Sequence, residues 1–229
     1  MPKIYLDYAA TTPIDPKVLK AMLPYLKKEF GNPSSIHSFG QKGLFALEKA
    51  RKSVADFLGC SSQEIIFTGS ATEADNLAIR GSVKSGHIIT SQIEHPAVLE
   101  ACKALERQEV KVTYLPVDKE GVVNPSDVQK AIRPDTVLVS IIYANNEIGT
   151  VQLIPEISGL VKKTNPKILF HTDAVQAANY LECDVNKLGV DLLTLSSHKI
   201  YGPKGVGAIY IKIGTALKPL IFGGGHDMG

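Results

Sequence analysis

The sequence has no tryptophan, only three cysteines in 229 residues, and no run of like charge longer than a pair. Cys60, Cys102 and Cys183 are scattered without C-x-x-C spacing. That excludes a disulfide framework and a zinc knuckle, and each cysteine reads as a small buried apolar residue. Lys and Arg number 25 against 23 Asp and Glu, a net charge of +2, so the composition gives no footprint for nucleic acid or for an anionic membrane surface. No apolar stretch reaches the roughly 18 residues a membrane span needs, and Met1–Tyr8 lacks the apolar run of a signal peptide. These absences lead us to expect a cytoplasmic protein. There is no internal repeat and no low-complexity segment.

What is present is a globular composition, 44% hydrophobic and 21% charged, sufficient for one large α/β domain. From Glu64 onward short β-rich runs alternate with helix-length stretches. The runs are Ile65–Phe67, His87–Thr90, Val110–Leu115, Thr136–Ile142, Lys167–Phe170, Leu192–Leu195 and Gly207–Ile211. Helical spacing falls at 73–81, 96–107, 125–132 and 154–164, with Pro96 and Pro155 at first turns. This alternation predicts a mainly parallel seven-stranded sheet with helices on both faces. Before it, residues 16–28 and 38–58 read as two helices joined by Gly31-Asn-Pro-Ser-Ser35. The expected organisation is an N-terminal segment, 1–15, and one large domain, 16–229, ending in a glycine-rich stretch, Gly223–Gly229.

Ligands of an open α/β sheet bind beyond the carboxyl ends of its strands, and the polar residues cluster there. After the first strand, Thr68-Gly-Ser-Ala-Thr-Glu73 is a small-residue turn opening a helix, suited to a phosphate or simply to capping. Glu94-His95-Pro96 follows the second strand, Asn145-Asn146-Glu147 the fourth, His171-Thr172-Asp173 with Gln176 the fifth, and Ser196-Ser197-His198-Lys199 the sixth. A phosphate-cupping turn, an aspartate after one strand and a lysine after the next are what pyridoxal phosphate requires: the amine forms a Schiff base and the aspartate keeps the ring nitrogen protonated. Read by spacing alone, Asp173 serves equally as a helix cap and Lys199 as a surface amine. His171, Asp173 and His198 do not complete a metal-ligand pattern, so no metal site is expected. Gly202–Gly207 precedes a strand and is not a dinucleotide loop.

The motifs resemble those of fold-type-I pyridoxal-phosphate enzymes of the class V aminotransferase group, and within it the NifS-like cysteine desulfurases. The resemblance runs through Tyr5-Leu-Asp-Tyr-Ala-Ala-Thr-Thr-Pro13, Gly31-Asn-Pro-Ser-Ser35 with His37, Ala71-Thr-Glu73 with Asn76, Glu94-His95, Asn145-Asn-Glu-Ile-Gly149, His171-x-Asp173 with Gln176, and Ser196-x-His-Lys-Ile-Tyr-Gly-Pro-Lys-Gly205. It implies that Lys199 carries the cofactor and removes a substrate proton, that Asp173 pairs with the ring nitrogen, and that His95 stacks on the ring and assists proton transfer. Ala71, Thr72, Ser196 and His198 would hold the phosphate, while Asn146 and Gln176 would contact the ring.

The function implied is a cysteine desulfurase, converting L-cysteine to L-alanine and passing sulfur to an acceptor or scaffold protein for iron–sulfur clusters or thiolated nucleotides, as a homodimer. The family's sulfur-accepting cysteine, its carboxylate-clamping arginine and its small domain belong to a C-terminal part that this sequence does not match, so a truncated chain is expected. A non-catalytic binding or dimerising module, and a selenocysteine lyase or related enzyme, are the alternatives. The family's Ser-Gly-Ala-Thr turn is Gly69-Ser70-Ala71-Thr72 here, and His226-Asp227 stands where Gln-Glu is usual. The first departure raises the expectation of altered cofactor affinity.

Overall fold

The computed structural model describes residues 3–223; the glycine-rich stretch beyond Gly223, with His226-Asp227, lies outside the described residues. Seven strands, β1 (Ile65–Thr68), β2 (His87–Ser91), β3 (Lys111–Leu115), β4 (Thr136–Ser140), β5 (Leu169–Asp173), β6 (Leu192–Ser196) and β7 (Gly207–Ile211), form one sheet in the order β1-β7-β6-β5-β4-β2-β3. The pairs from β3 across to β6 are parallel, and β7 runs against both its neighbours, β6 and β1.

Seven α-helices accompany the sheet: α1 (Pro16–Lys27), α2 (Ser38–Leu58), α3 (Ala71–Ser82), α4 (Pro96–Glu106), α5 (Pro125–Ala131), α6 (Ile154–Thr164) and α7 (Val185–Leu188). Their starts follow from local chemistry. Proline stands in the first turn of α1, α4, α5 and α6, where its missing N–H costs nothing, and Asp15, Ser70 and Asn124 accept from orphan amides at three helix starts. Gly59 ends α2 in the left-handed region, φ 68°.

Strand alternation sends neighbouring side chains to opposite faces. Ile89, Val139, Phe170 and Leu193 pack with Leu58 of α2, Val128 of α5, and Ile157 and Val161 of α6. Ile88 and Leu138 pack instead with Ile79 of α3 and with Val98, Cys102 and Leu105 of α4, and Leu192 and Ile209 with Ala74 and Ala78 of α3. Both faces are covered, as the alternation predicts. This is the mainly parallel seven-stranded sheet that the sequence predicts.

Two boundaries differ for physical reasons. The run Thr136–Ile142 stops being strand at Ser140 because the Ile142 amide donates to the Glu94 side chain at 2.9 Å instead of to a neighbouring strand. The fifth strand extends through His171-Thr172-Asp173, residues expected to follow it. Polar partners across the sheet satisfy them in place: Ser140 and Thr194 on His171, and the Ile141 carbonyl on the Thr172 hydroxyl. The four-residue α7 was not anticipated, being too short to show a period. Around α1 and the start of α2 the surface is apolar: Leu26 is 66% exposed, Phe30 72% and Phe45 74%.

Candidate active site

A cavity of about 280 Å³ opens at the carboxyl end of the parallel strands. All nine residues expected at the site line it: Ala71 and Thr72 from the start of α3, His95 from the start of α4, Asn146 from the loop after β4, Asp173 and Gln176 from the end of β5 and beyond, and Ser196, His198 and Lys199 from the end of β6. Five strand ends, those of β1, β2, β4, β5 and β6, are therefore brought to one point, as the switch-point rule for open sheets leads one to expect.

Each side chain is aimed by a local device. Ser70 caps α3 by accepting from the Glu73 amide at 3.1 Å, which leaves Ala71 and Thr72 as the first two residues of the helix, positions whose amides have no intrahelical acceptor. The His95 Nδ1 accepts from the Ala97 amide at 3.1 Å. A neutral His95 thus carries its proton on Nε2, and the residue that caps α4 also lines the cavity. Asn145 holds the next loop, donating to the Ile93 carbonyl at 2.7 Å and accepting from the Glu147 and Ile148 amides, which presents Asn146.

Asp173 is 4% exposed, and its Oδ1 accepts from the Val175 amide at 2.9 Å. Burial raises its pKa, opposed by that amide and by the charges of His95 and Lys199. The Lys199 amine donates to the Ala9 and Ala10 carbonyls, and Gln176 Nε2 donates to the Ala9 carbonyl at 2.8 Å. Burial pushes the Lys199 amine below its usual range, while Asp173 and Asp7 pull it back, so its neutral nucleophilic form is favoured over that of a surface lysine. His198 is also lowered, by burial and then by the neighbouring lysine charges. Its carbonyl accepts both the amide and the hydroxyl of Thr12, each at 2.9 Å.

The family model for class V aminotransferases matches residues 4–228. The chain belongs to that family. Among curated class V relatives, it is 54% identical to the cysteine desulfurase IscS of Dictyoglomus turgidum, over 98% of this chain and 58% of the relative. It is 51% identical to the mitosomal cysteine desulfurase of Trachipleistophora hominis, over 99% of this chain and 53% of the relative. Among solved structures, a NifS-like protein superposes with a TM-score of 0.95 at 43% identity, covering 98% of this chain and 63% of that one. The protein titled SspA in complex with cysteine superposes with 0.93 at 45% identity, covering 96% and 65%. The chain spans little more than half the length of these curated relatives.

Pyridoxal phosphate is the cofactor of this class V family, and the cavity has the donor set for it. An amine, a buried carboxylate and a helix start face the same space, and that space is held open by close backbone contact. Gly207 of β7 lies so near the phosphate turn that a Cβ there would come within 2.5 Å of the Ser70 carbonyl carbon. The shifted glycine of the turn places no left-handed residue at position 69 or 70. Ser70 has φ −168°, ordinary extended backbone, and Gly69 does not occupy the left-handed region.

Sequence reasoning missed several lining residues. Ala10 arrives from the N-terminal segment, Gly205 and Val206 from the turn before β7, and Asp75 from inside α3. For Asp75 a signal existed: an acid on the helix stripe that carries Ala74, Ala78 and Ile79 to the core. Among the described residues, Asp75, His95 and Asp173 each present one ligand-type atom within 4.8 Å of the others, the spacing of a metal site, although no metal is expected from the sequence.

Proposed function

We propose that this chain binds pyridoxal phosphate through Lys199 and belongs to an enzyme that removes sulfur from L-cysteine, leaving L-alanine. The observation that carries the reading is the meeting of the Lys199 amine, the Asp173 carboxylate and the first turn of α3 in one cavity. When bound, the cofactor supplies an aldehyde that takes an amine and a ring that accepts electrons from the substrate carbon. Lys199 holds the group and, as a free amine, takes the proton from the α-carbon of the amino acid. Asp173 keeps a proton on the ring nitrogen. His95 would face the ring and could move a proton at its Nε2. Ala71, Thr72, Ser196 and His198 bind the phosphate, with Asn146 and Gln176 orienting the ring. In this reading residues 16–229 are the cofactor domain, and segment 1–15 closes over it through Ala9, Ala10 and Thr12.

Sulfur leaves to a thiolate as a persulfide, and none of this chain's cysteines suits that role. Cys60, Cys102 and Cys183 lie outside the cavity lining, and burial pushes their thiols up to about 11, 12 and 11. The acceptor thiol therefore comes from another segment or another protein, and a homodimer in the cytoplasm is the assembly and location that complete the proposal.

The test is an absorbance titration of purified protein with pyridoxal phosphate beside Lys199→Ala, followed by an alanine-release assay with cysteine on the same samples. A visible band present in the wild type and lost in the variant is expected. Its absence from the wild type would sink the cofactor reading. A band without alanine release, even with an added thiol, would favour a binding module.

A further inference from the structure

Asp75 is the most enclosed acid near the cavity, 1% exposed, on the core side of α3. A ligand-type atom of its carboxylate lies within 4.8 Å of one on Asp173 and one on His95. Two carboxylates this close in a buried site do not both ionise, so the pair holds one proton between them.

Their surroundings decide where it resides. Asp173 has the Val175 amide as a donor and the charges of His95 and Lys199 on its cavity side. Asp75 has neither. Among the described residues its Oδ1 has no hydrogen-bond partner, and the Thr194 hydroxyl is the favourable contact that lowers its carboxyl. His171, the nearest base, stands 3.7 Å from Oδ1 and is fully buried. Both of its nitrogens are engaged, Nδ1 with the Ser140 hydroxyl at 2.8 Å and Nε2 with the Thr194 hydroxyl at 3.1 Å. If Thr194 donates to Asp75, it accepts from His171 Nε2–H, and Nδ1 in turn accepts from Ser140. That order leaves His171 neutral, with no charge to offer. Glu94, a further buried acid bearing on Asp75, offers no positive charge and raises the Asp75 carboxyl when it is ionised.

We propose that Asp75 carries the proton at neutral pH, as a neutral positioning residue beneath Asp173 that leaves Asp173 the single negative charge facing the cavity. Burial and the Asp173 charge both raise the Asp75 carboxyl well above the usual carboxylate range, in accord with the geometry. The consequence for the cofactor rests on the pyridoxal-phosphate reading: an undivided charge on Asp173 is what retains a proton on the ring nitrogen. The protonation of Asp75 itself does not depend on that reading.

The experiment has two parts. Infrared difference spectra of the cofactor-free chain, wild type minus Asp75→Asn at pH 7, read the carbonyl stretch of a protonated carboxylic acid. Cofactor titrations then compare Asp75→Asn with Asp173→Asn. Expected are a protonated-acid band in the wild type that the Asp75 variant lacks, cofactor affinity within about threefold of wild type for Asp75→Asn, and at least a tenfold loss for Asp173→Asn. No difference band, or a tenfold loss in Asp75→Asn, would overturn the proposal. Should that variant not fold, carboxyl-carbon chemical shifts of labelled aspartates in the wild type give the same reading: one protonated aspartate at pH 7 supports it, and none refutes it. Failure of the wild type to bind cofactor would instead count against the cofactor reading and leave the infrared result standing.

Discussion

Glu94 is buried under the cavity with one oxygen satisfied and one not: Oε1 accepts from the Ser91 hydroxyl at 2.5 Å and the Ile142 amide at 2.9 Å, and Oε2 has no partner. Burial pushes its carboxyl up to about 8. The folded chain then keeps a proton that the unfolded chain releases near pH 4.3. The associated stability is complete below that pH and is lost as pH rises to about 8. Glutamine can accept the same two hydrogen bonds without ionising, so thermal melts of Glu94→Gln should lie roughly 5–10 °C above wild type at pH 8, with the gap closing toward pH 5. A gap independent of pH would mean that Glu94 does not titrate in this window. Glu94 was legible as a strand-end residue and its neighbour His95 as a site residue, because the rule for open sheets points to strand ends. Asp75 was missed although it shares a helix stripe with Ala74, Ala78 and Ile79, because an acid inside a helix reads by default as solvated.

The phosphate turn and β7 act as one element, since the turn's backbone rests on a glycine of the strand. In Gly207→Ala a Cβ would meet the Ser70 carbonyl carbon at 2.5 Å and the Thr68 hydroxyl at 2.7 Å. We expect a loss of about 1–3 kcal/mol in denaturant unfolding, as for overpacked sites, together with weaker cofactor binding, because the displaced atoms belong to the α3 start. Unchanged affinity in a destabilised variant would separate the turn from the cradle. Here the sequence was informative about kind and blunt about extent. Caps and prolines marked helix starts closely, but β5 was expected to stop before His171, since three polar residues argue against a buried strand. Only partners on β4 and β6 make them tolerable there, and those are long-range facts.

For the whole molecule, alternation of strand and helix was enough to anticipate a two-faced sheet, whereas the position of β7 was not, since nothing local says that the last strand enters between β6 and β1. Nor did the helical spacing of residues 16–28 show that α1 would bury none of its side chains completely. Its apolar residues, with Phe30 and Phe45, form a surface that water does not favour. Sedimentation should therefore show association beyond a monomer, reduced in Phe30→Ser with Phe45→Ser while the cofactor band is kept; a monodisperse monomeric wild type would contradict this.

The late entry of β7 also sets an order of events. It pairs Ile65 with Tyr210, so the edge strand β1 has no partner in the sheet until nearly the whole described chain has been made. Contacts so distant along the chain form slowly. On the ribosome, a chain released only as far as Lys199 already carries that lysine and Asp173 but has nothing against which to seat the turn that opens α3. On the pyridoxal-phosphate reading, cofactor capture would then wait for β7, so that loading follows the synthesis of that strand.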